Sequence, residues 1–222
     1  MTLATRPGAF APATGRGPAR VAAELVFRNA SGRTVLARQH TPHPFHITRP
    51  FRLEGDPAGA ATLYLQSSAG GLYGDDDLSL AIRAGPGAFA HVTTQASTMV
   101  PPGRGRTARH AVTVEAGAGA TIEYLPDPLI LFHGASAAVS LEVRLAAGAR
   151  ALVCDGIVLH RPGGGAVDAD LDNRIRIAWE GAPFGPLEER QRAGGAALRA
   201  ALAMPGEPET PRHFIALYLA GA

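Results

Sequence analysis

Residues 70–156 contain the same pattern three times, and this repetition limits the possible folds more than any other feature of the chain. Each copy has a stretch of alternating apolar and polar residues, a corner of glycine and alanine, and a second alternating stretch. The corners contain Gly87, Gly119 and Gly148, which are 32 and 29 residues apart. Alternation with a period of two predicts β-strands. Glycine at the corners permits the left-handed backbone of tight turns.

The six predicted strands of the repeat follow one another at regular intervals. They are Leu78–Arg83 and Phe89–Gln95, Ala111–Glu115 and Thr121–Leu125, and Val139–Leu145 and Arg150–Asp155. A period of roughly 20–50 residues is typical of units that stack and bury a shared core. The sequence therefore predicts a mainly β protein, as a stacked, β-helix-like arrangement or a two-layer sheet assembly of ordinary hairpins. One or two short helices are expected near the C-terminus.

The segments on either side of the repeat continue the β pattern. We expect a hairpin whose turn is Asn29–Gly32, and a helix over Ala193–Met204, where alanine is frequent. Leu187–Arg192 fits either a strand or the start of that helix, and His213–Leu219 fits a strand or a short helix. The remaining predicted strands are Val21–Arg28, Arg33–Gln39, Ala61–Ser67 and Asn173–Trp179.

The length of 222 residues suits one domain. Residues 1–20 are rich in Ala, Pro, Gly, Thr and Arg without periodicity, so we expect a flexible leader there. The prolines at 7, 12 and 18 argue against the amphipathic helix of a mitochondrial presequence. Residues 21–222 are expected to form a single β-rich domain.

Composition restricts the partners and the compartment. The net charge is only +2, and all 21 basic residues are arginine, so we expect no nucleic-acid partner. No apolar run approaches the roughly 20 residues of a membrane span, so we expect no membrane partner. The lone cysteine, Cys154, cannot form an internal disulfide, which favours a reducing compartment. We therefore expect a cytoplasmic protein.

Three histidines occur at a regular spacing, at His40, His43 and His46. On a helix this spacing would favour metal binding, but Pro42 and Pro44 lie between them and prevent a helix. In an extended chain every third side chain points to a different face. We therefore predict surface histidines rather than a firm metal site.

No segment predicts a catalytic centre. The serines lack a Gly-x-Ser-x-Gly context, and no Gly-Lys-Ser/Thr follows the glycine-rich corners. Asp75–Asp77 lacks the alternating ligand spacing of an EF-hand loop. Cys154 lies in the middle of a predicted strand, where a buried structural thiol is expected. These observations predict a binding protein, not an enzyme.

Acidic residues occur at or after the second strands of the repeat. Glu123 and Asp155 lie on or at the end of such strands, and Asp127 follows the second copy. If the copies stack, equivalent positions stack as well, and these carboxylates could line a polar path for an ion. Alternatively, they cap turns or pair with nearby arginines.

Four blocks of sequence resemble the urease accessory protein UreD family, which is also called UreH. They are Pro44–Phe51, Leu63–Tyr73, His91–Thr98 and Glu123–Phe132. The blocks occur in the order and rough spacing of that family, and the resemblance covers roughly residues 21–180. One departure is Met99, where the family usually has a basic residue.

The resemblance implies a β-rich, helix-like stack of sheets and a non-enzymatic role. Proteins of this family bind apo-urease and UreF, UreG joins through UreF, and the assembly delivers nickel to the urease active site. The resemblance implies no tightly bound cofactor, only transient nickel. Because an internal tunnel is the proposed route in the family, it makes Asp75, Glu123, Asp127 and Asp155 candidates for a nickel path. It leaves the partner-binding faces unspecified.

Two other functions fit the residues alone. One is a β-rich protein- or ligand-binding module without a role in metal delivery, although 6% aromatic content argues against carbohydrate. The other is an enzyme on a β scaffold. It would require Asp127 to share a pocket with His91, His133 or His160.

Overall fold

The computed structural model describes residues 20–55, 57, 59–202 and 212–221. Within these ranges the chain forms two β-sheets and one short helix, α1 (Gly195–Ala201). Residues 1–19 of the predicted leader lie outside the described residues. Arg20, which we assigned to that leader, is the first residue of a strand.

Sheet A has seven strands. In spatial order they are β14 (Leu187–Gly194), β13 (Asp170–Trp179), β11 (Ser136–Leu145), β8 (Ala108–Ala116), β5 (Asp77–Ala84), β1 (Arg20–Ala30) and β2 (Arg33–His40). The predicted hairpin is confirmed, because β1 and β2 pair antiparallel around residues 31–32.

Sheet B has eight strands. In spatial order they are β3 (Phe45–Ile47), β4 (Ala61–Ser67), β6 (Phe89–Thr94), β9 (Thr121–Leu125), β12 (Arg150–His160), β10 (Leu129–Phe132) and β7 (Thr98–Val100), and β15 (Arg212–Gly221) also pairs with β12. Along β12, β9 pairs with the first half and β10 with the second.

The three copies of the repeat are successive turns of a β-solenoid, so the prediction of a stacked arrangement is confirmed. The two strands of each copy lie in different sheets, and each pairs in parallel with its equivalent in the next copy. Ala84 lies beside Ala116, which lies beside Leu145. The alternative of three hairpins in a sandwich is wrong. The small-residue corner leads the chain from one sheet to the other instead of folding it back within a sheet.

The corners depend on glycine in two ways. Gly87, Gly119 and Gly148 have φ angles of 63°, 63° and 67°, in the left-handed region that glycine adopts without strain. Gly117 sits against the preceding corner, where a Cβ atom would lie 3.0 Å from the nitrogen of Pro86. The amide of Gly117 also donates a hydrogen bond of 2.8 Å to the carbonyl of Ala84, which locks adjacent turns together.

The core lies between the two sheets, where side chains from equivalent positions form ladders. One ladder crosses sheet A, and a shorter one crosses sheet B. Their buried members are Leu25, Ile82, Val114, Val143 and Ile177 in sheet A and Ala61, Ala90, Ile122 and Ala151 in sheet B. The buried members alternate along each strand with residues on the outer face, as the period of two in a β-strand requires.

The C-terminal part differs from prediction in one detail. Leu187–Arg192 is a strand, and α1 is shorter than the predicted helix because Ala193 and Gly194 pair with β13. Met204 lies outside the described residues. His213–Leu219 belongs to the strand β15, which pairs antiparallel with β12.

Replacing Ile122 by alanine should lower the free energy of unfolding by about 2–5 kcal/mol. Ile122 is fully buried in the sheet B ladder, so the change removes apolar contacts and leaves a cavity. Urea unfolding followed by circular dichroism measures the change. Thr121→Ala, on the outer face of the same strand, is the control and should cost less than about 1 kcal/mol. Equal losses for the two variants would contradict the assignment of the core.

Candidate functional site

Sheet B is interrupted at one level, and this interruption is the candidate site. β4 ends at Ser67, β6 ends at Thr94 before β7 begins at Thr98, and β9 ends at Leu125 before β10 begins at Leu129. Among the strands described, β12 and its partner β15 run past this level without a break. We call the loops of residues 68–71, 95–97 and 126–128 the sheet-B gap.

Hydrogen bonds between the loops hold the gap in shape. The Thr94 hydroxyl donates to Asp127 Oδ2 at 2.9 Å and accepts from the Asp127 amide at 2.7 Å. The Leu72 amide donates to the carbonyl of Met99 at 2.9 Å, and the Gln95 amide donates to that of Leu65 at 3.0 Å. The edges of the gap are therefore fixed.

Two cavities meet behind the gap, between the sheets. The larger, of about 300 Å³, is lined mostly by apolar residues, including Phe45 and Leu72. The smaller, of about 90 Å³, is lined by both apolar and polar residues, and the polar ones include Asp127, Asp155 and Asn173. The cavities adjoin, because they share four lining residues. These are Thr94, Thr98, His110 and Tyr124.

His110 projects from β8 of sheet A into the wall that the two cavities share. Its Nε2 atom is buried and has no hydrogen-bond partner among the described residues. Burial lowers the pKa of His110 to about 4, since the charged imidazolium is poorly solvated there. At neutral pH the ring is therefore uncharged, and one of its nitrogens carries a lone pair.

Asp155 projects from the opposite sheet into the smaller cavity. Its Oδ2 accepts a hydrogen bond of 2.5 Å from Nδ2 of the buried Asn173. Burial raises the pKa of Asp155, the bond from Asn173 opposes that shift, and Glu189 adds to it. Burial also raises the pKa of Tyr124, and the nearby Asp155 reinforces that rise. A cation in the cavity would favour the ionised form of Asp155.

Comparison with known proteins identifies the family. The model of the UreD urease accessory protein matches residues 19–222. UreD 1 of Methylorubrum populi is 44% identical over 198 residues, which cover 88% of this chain and 67% of that protein. UreD 1 of Methylorubrum extorquens is 44% identical over 205 residues, which cover 90% of this chain and 69% of that protein. The chain belongs to the UreD family.

Family membership makes the protein a urease maturation factor and not an enzyme. The match extends beyond residue 180, where the resemblance ended, and includes β14 and β15. The chain spans about two thirds of the length of these two relatives.

Three of the four blocks that resemble UreD contain the loops of the sheet-B gap. The blocks are Leu63–Tyr73, His91–Thr98 and Glu123–Phe132. They lie about 30 residues apart in sequence but side by side in space, because each belongs to a successive turn of the solenoid. The fourth block contributes Pro44 and Phe45 to the wall of the larger cavity. The UreD-like residues thus surround one opening.

The structure brings together two of the four residues proposed for a nickel path. Asp127 and Asp155 line the smaller cavity. Glu123 lies on the outer face of sheet B, with Oε2 2.7 Å from Nδ1 of His91, and Asp75 accepts from Arg106 Nη1 at 2.6 Å. In the solenoid register Glu123 lies beside Leu152, so it does not stack on Asp155.

The histidines singled out in the sequence do not assemble a site. His40 ends β2, His43 Nδ1 lies 3.0 Å from Ser68 Oγ, and His46 lies in β3. Among the described residues there is no group of three or more His, Cys, Asp or Glu that could hold a metal ion. Neither His133 nor His160 lines the cavity of Asp127.

Two further observations concern the reactivity of the Cys154 thiol and the presence of membrane-spanning helices. Burial raises the pKa of Cys154, which keeps its thiol protonated and a poor nucleophile. No helix of the described part has the length and apolar character needed to cross a membrane.

The candidate residue that sequence reasoning missed is His110. The alternation of β8 places it on the same face as Ala108, Val112 and Val114, which are buried. A histidine within an apolar inward-facing series was therefore a signal available in the sequence.

His110 should make the folded protein less stable as the pH falls. The folded pKa of about 4 lies below the value of about 6.5 usual for an unfolded chain, so the unfolded state binds the proton first. Protonation of His110 therefore leaves the free energy of unfolding unchanged above about pH 6.5. It lowers that free energy by up to about 3 kcal/mol by pH 4. Urea unfolding across this range measures the loss.

The variant His110→Gln should lose this part of the pH dependence, because glutamine does not titrate. The exposed His46, changed to Gln, is the matched control and should keep the dependence of the parent protein. An unchanged pH slope in His110→Gln would refute the burial of a neutral His110.

Proposed function

We propose that this chain is a cytoplasmic UreD scaffold that binds apo-urease and the UreF–UreG accessory proteins, and that nickel on its way to urease passes through the sheet-B gap. The observation that carries the proposal is the pair of adjoining cavities behind the gap. Asp127, Asp155 and His110 supply two carboxylates and one neutral imidazole to them. The UreD-like sequence blocks surround the same opening.

The ligand types suit a cation that must be released again. Carboxylate oxygens and imidazole nitrogen both coordinate nickel. A closed site of four such groups would retain the ion, whereas the described residues offer no group of even three. Water and the hydroxyl of Thr94 would complete the coordination only transiently. The cavity therefore supports passage of nickel better than storage.

The charges of His110 and Asp155 also favour entry of a cation. His110 is neutral at physiological pH, so no positive charge repels an incoming cation. Burial raises the pKa of Asp155 because its negative charge is poorly solvated, and a cation in the cavity would offset that cost. Asn173 holds the carboxylate in place throughout, through its hydrogen bond to Oδ2. The carboxylate of Asp155 thus favours a cation in the cavity.

The proposal predicts that Asp155→Asn and Asp127→Asn lower nickel loading several-fold without preventing assembly. Each change removes one anionic ligand and keeps the size of the side chain. The chain and a cognate UreF are expressed in a urease-positive host that lacks its own UreD. Nickel per purified urease active site is measured, together with co-purification of the chain with apo-urease.

Glu123→Gln is the matched control, because Glu123 lies on the outer face of sheet B, away from the cavities. It should leave loading close to the level of the parent chain. Loss of co-purification in the cavity variants, or an equal effect of Glu123→Gln, would contradict the route. Failure of the parent chain to restore nickel would contradict the delivery role itself.

A further inference from the structure

The strand β15 exposes an unusual run of apolar side chains. Ile215, Leu217 and Leu219 are 57%, 64% and 82% exposed and point to the same outer face of sheet B. They alternate with Phe214, Ala216 and Tyr218, which point inward. No Asp, Glu, Lys or Arg occurs from residue 213 to residue 221. Contiguous exposed apolar residues of this kind mark interaction surfaces.

One edge of β15 is also unpaired. Within the described part of the chain, β15 pairs with β12 alone. Among the described residues its other edge therefore presents a row of backbone N–H and C=O groups, which is a template for another strand. Ten residues make it long for an exposed edge.

The other long edge strands carry charges, which protect an edge against pairing. In sheet A, β14 exposes Glu188, Arg190 and Arg192, and β2 exposes Arg33 and Arg38. The contrast with β15 lies within one molecule, so it reflects the position and not the overall composition of the chain. The edge of β15 is suited to pairing.

The strand is held firmly enough to act as a template. The Tyr218 hydroxyl donates to Glu189 Oε2 at 2.7 Å, and Trp179 Nε1 donates to the carbonyl of Gly221 at 3.1 Å. These bonds fasten β15 to the last strands of sheet A. Binding of a partner strand would therefore not require β15 to become ordered first.

We propose that the edge of β15 binds a second copy of the same chain, so that two β15 strands pair antiparallel across a twofold axis and join two copies of sheet B. This proposal is independent of the nickel route. A twofold interface requires a surface that is complementary to itself. Residues 213–221 satisfy this condition, since they contain no Asp, Glu, Lys or Arg that would be brought beside its own copy.

The register follows from the pleat. Paired residues must point to the same face, so the numbers of two paired residues must add to an even number. Placing Leu217 beside its own copy pairs Ile215 with the partner's Leu219 on the outer face. The alternative centre, Ala216, would pair Leu219 with the partner's His213 and lose one apolar contact. The structure therefore favours the axis at Leu217.

The first test is the mass of the full chain in solution as a function of concentration, measured by sedimentation equilibrium. We expect a reversible dimer of twice 22.9 kDa. Leu217→Lys should weaken dimerisation at least roughly tenfold, because two ammonium groups would face each other at the axis. Val35→Lys on the charged edge of β2 is the matched control and should dimerise like the parent chain. Circular dichroism establishes that both variants are folded.

The second test traps the register with a disulfide. In a Cys154→Ala background, Leu217→Cys places two thiols on the axis, within the Cα separation that a disulfide spans. Oxidation should give a covalent dimer. Leu219→Cys should crosslink much less, because residue 219 pairs with residue 215 of the other copy.

Three results would overturn the proposal. They are a monomer at every concentration, a dimer that Leu217→Lys leaves intact, and assembly into species larger than a dimer. The first would indicate that β15 awaits a strand from a different polypeptide. The third would indicate an open contact that does not close on itself.

Discussion

The parallel, in-register stacking of equivalent strands is the constraint on which the rest of the structure depends. Each corner must return the chain to the same position one turn further along, and Gly117 does this by packing directly on the backbone of the preceding corner. Because the register is fixed, any feature that recurs in the sequence is brought into line in space. A ladder of Ile82, Val114 and Val143 then forms without further specification.

The same stacking explains how loops far apart in sequence create one opening. A break in a single strand would leave a small defect in a sheet. Breaks at the same level in neighbouring turns add up to a gap, and behind it the ladder of apolar side chains gives way to His110, Asp155 and Asn173. Buried polar groups of this kind cost stability unless they are hydrogen-bonded. The nickel route that we propose would account for their presence in an otherwise apolar core.

Much of the fold could be predicted from the sequence because the signal was periodic. Alternation identified the strands from Leu78 to Asp155, and the glycine corners identified the repeat. The sequence did not separate a solenoid from hairpins, since both place a turn between two strands. The two folds differ in which strands pair. In the solenoid, equivalent strands of successive copies pair with each other, and alternation within one strand does not encode this long-range pairing.

The candidate site was predicted less well, because the sequence analysis did not determine to which face of sheet B each acidic side chain points. Glu123 and Asp155 both lie on second strands, but they occupy different levels, and their side chains point to opposite faces of sheet B. One residue of offset along a strand reverses the face of a side chain. Acidic character alone therefore could not tell a carboxylate that pairs with His91 at the surface from one that lines the interior. Face parity brings Asp155 into the cavity and leaves Glu123 outside it.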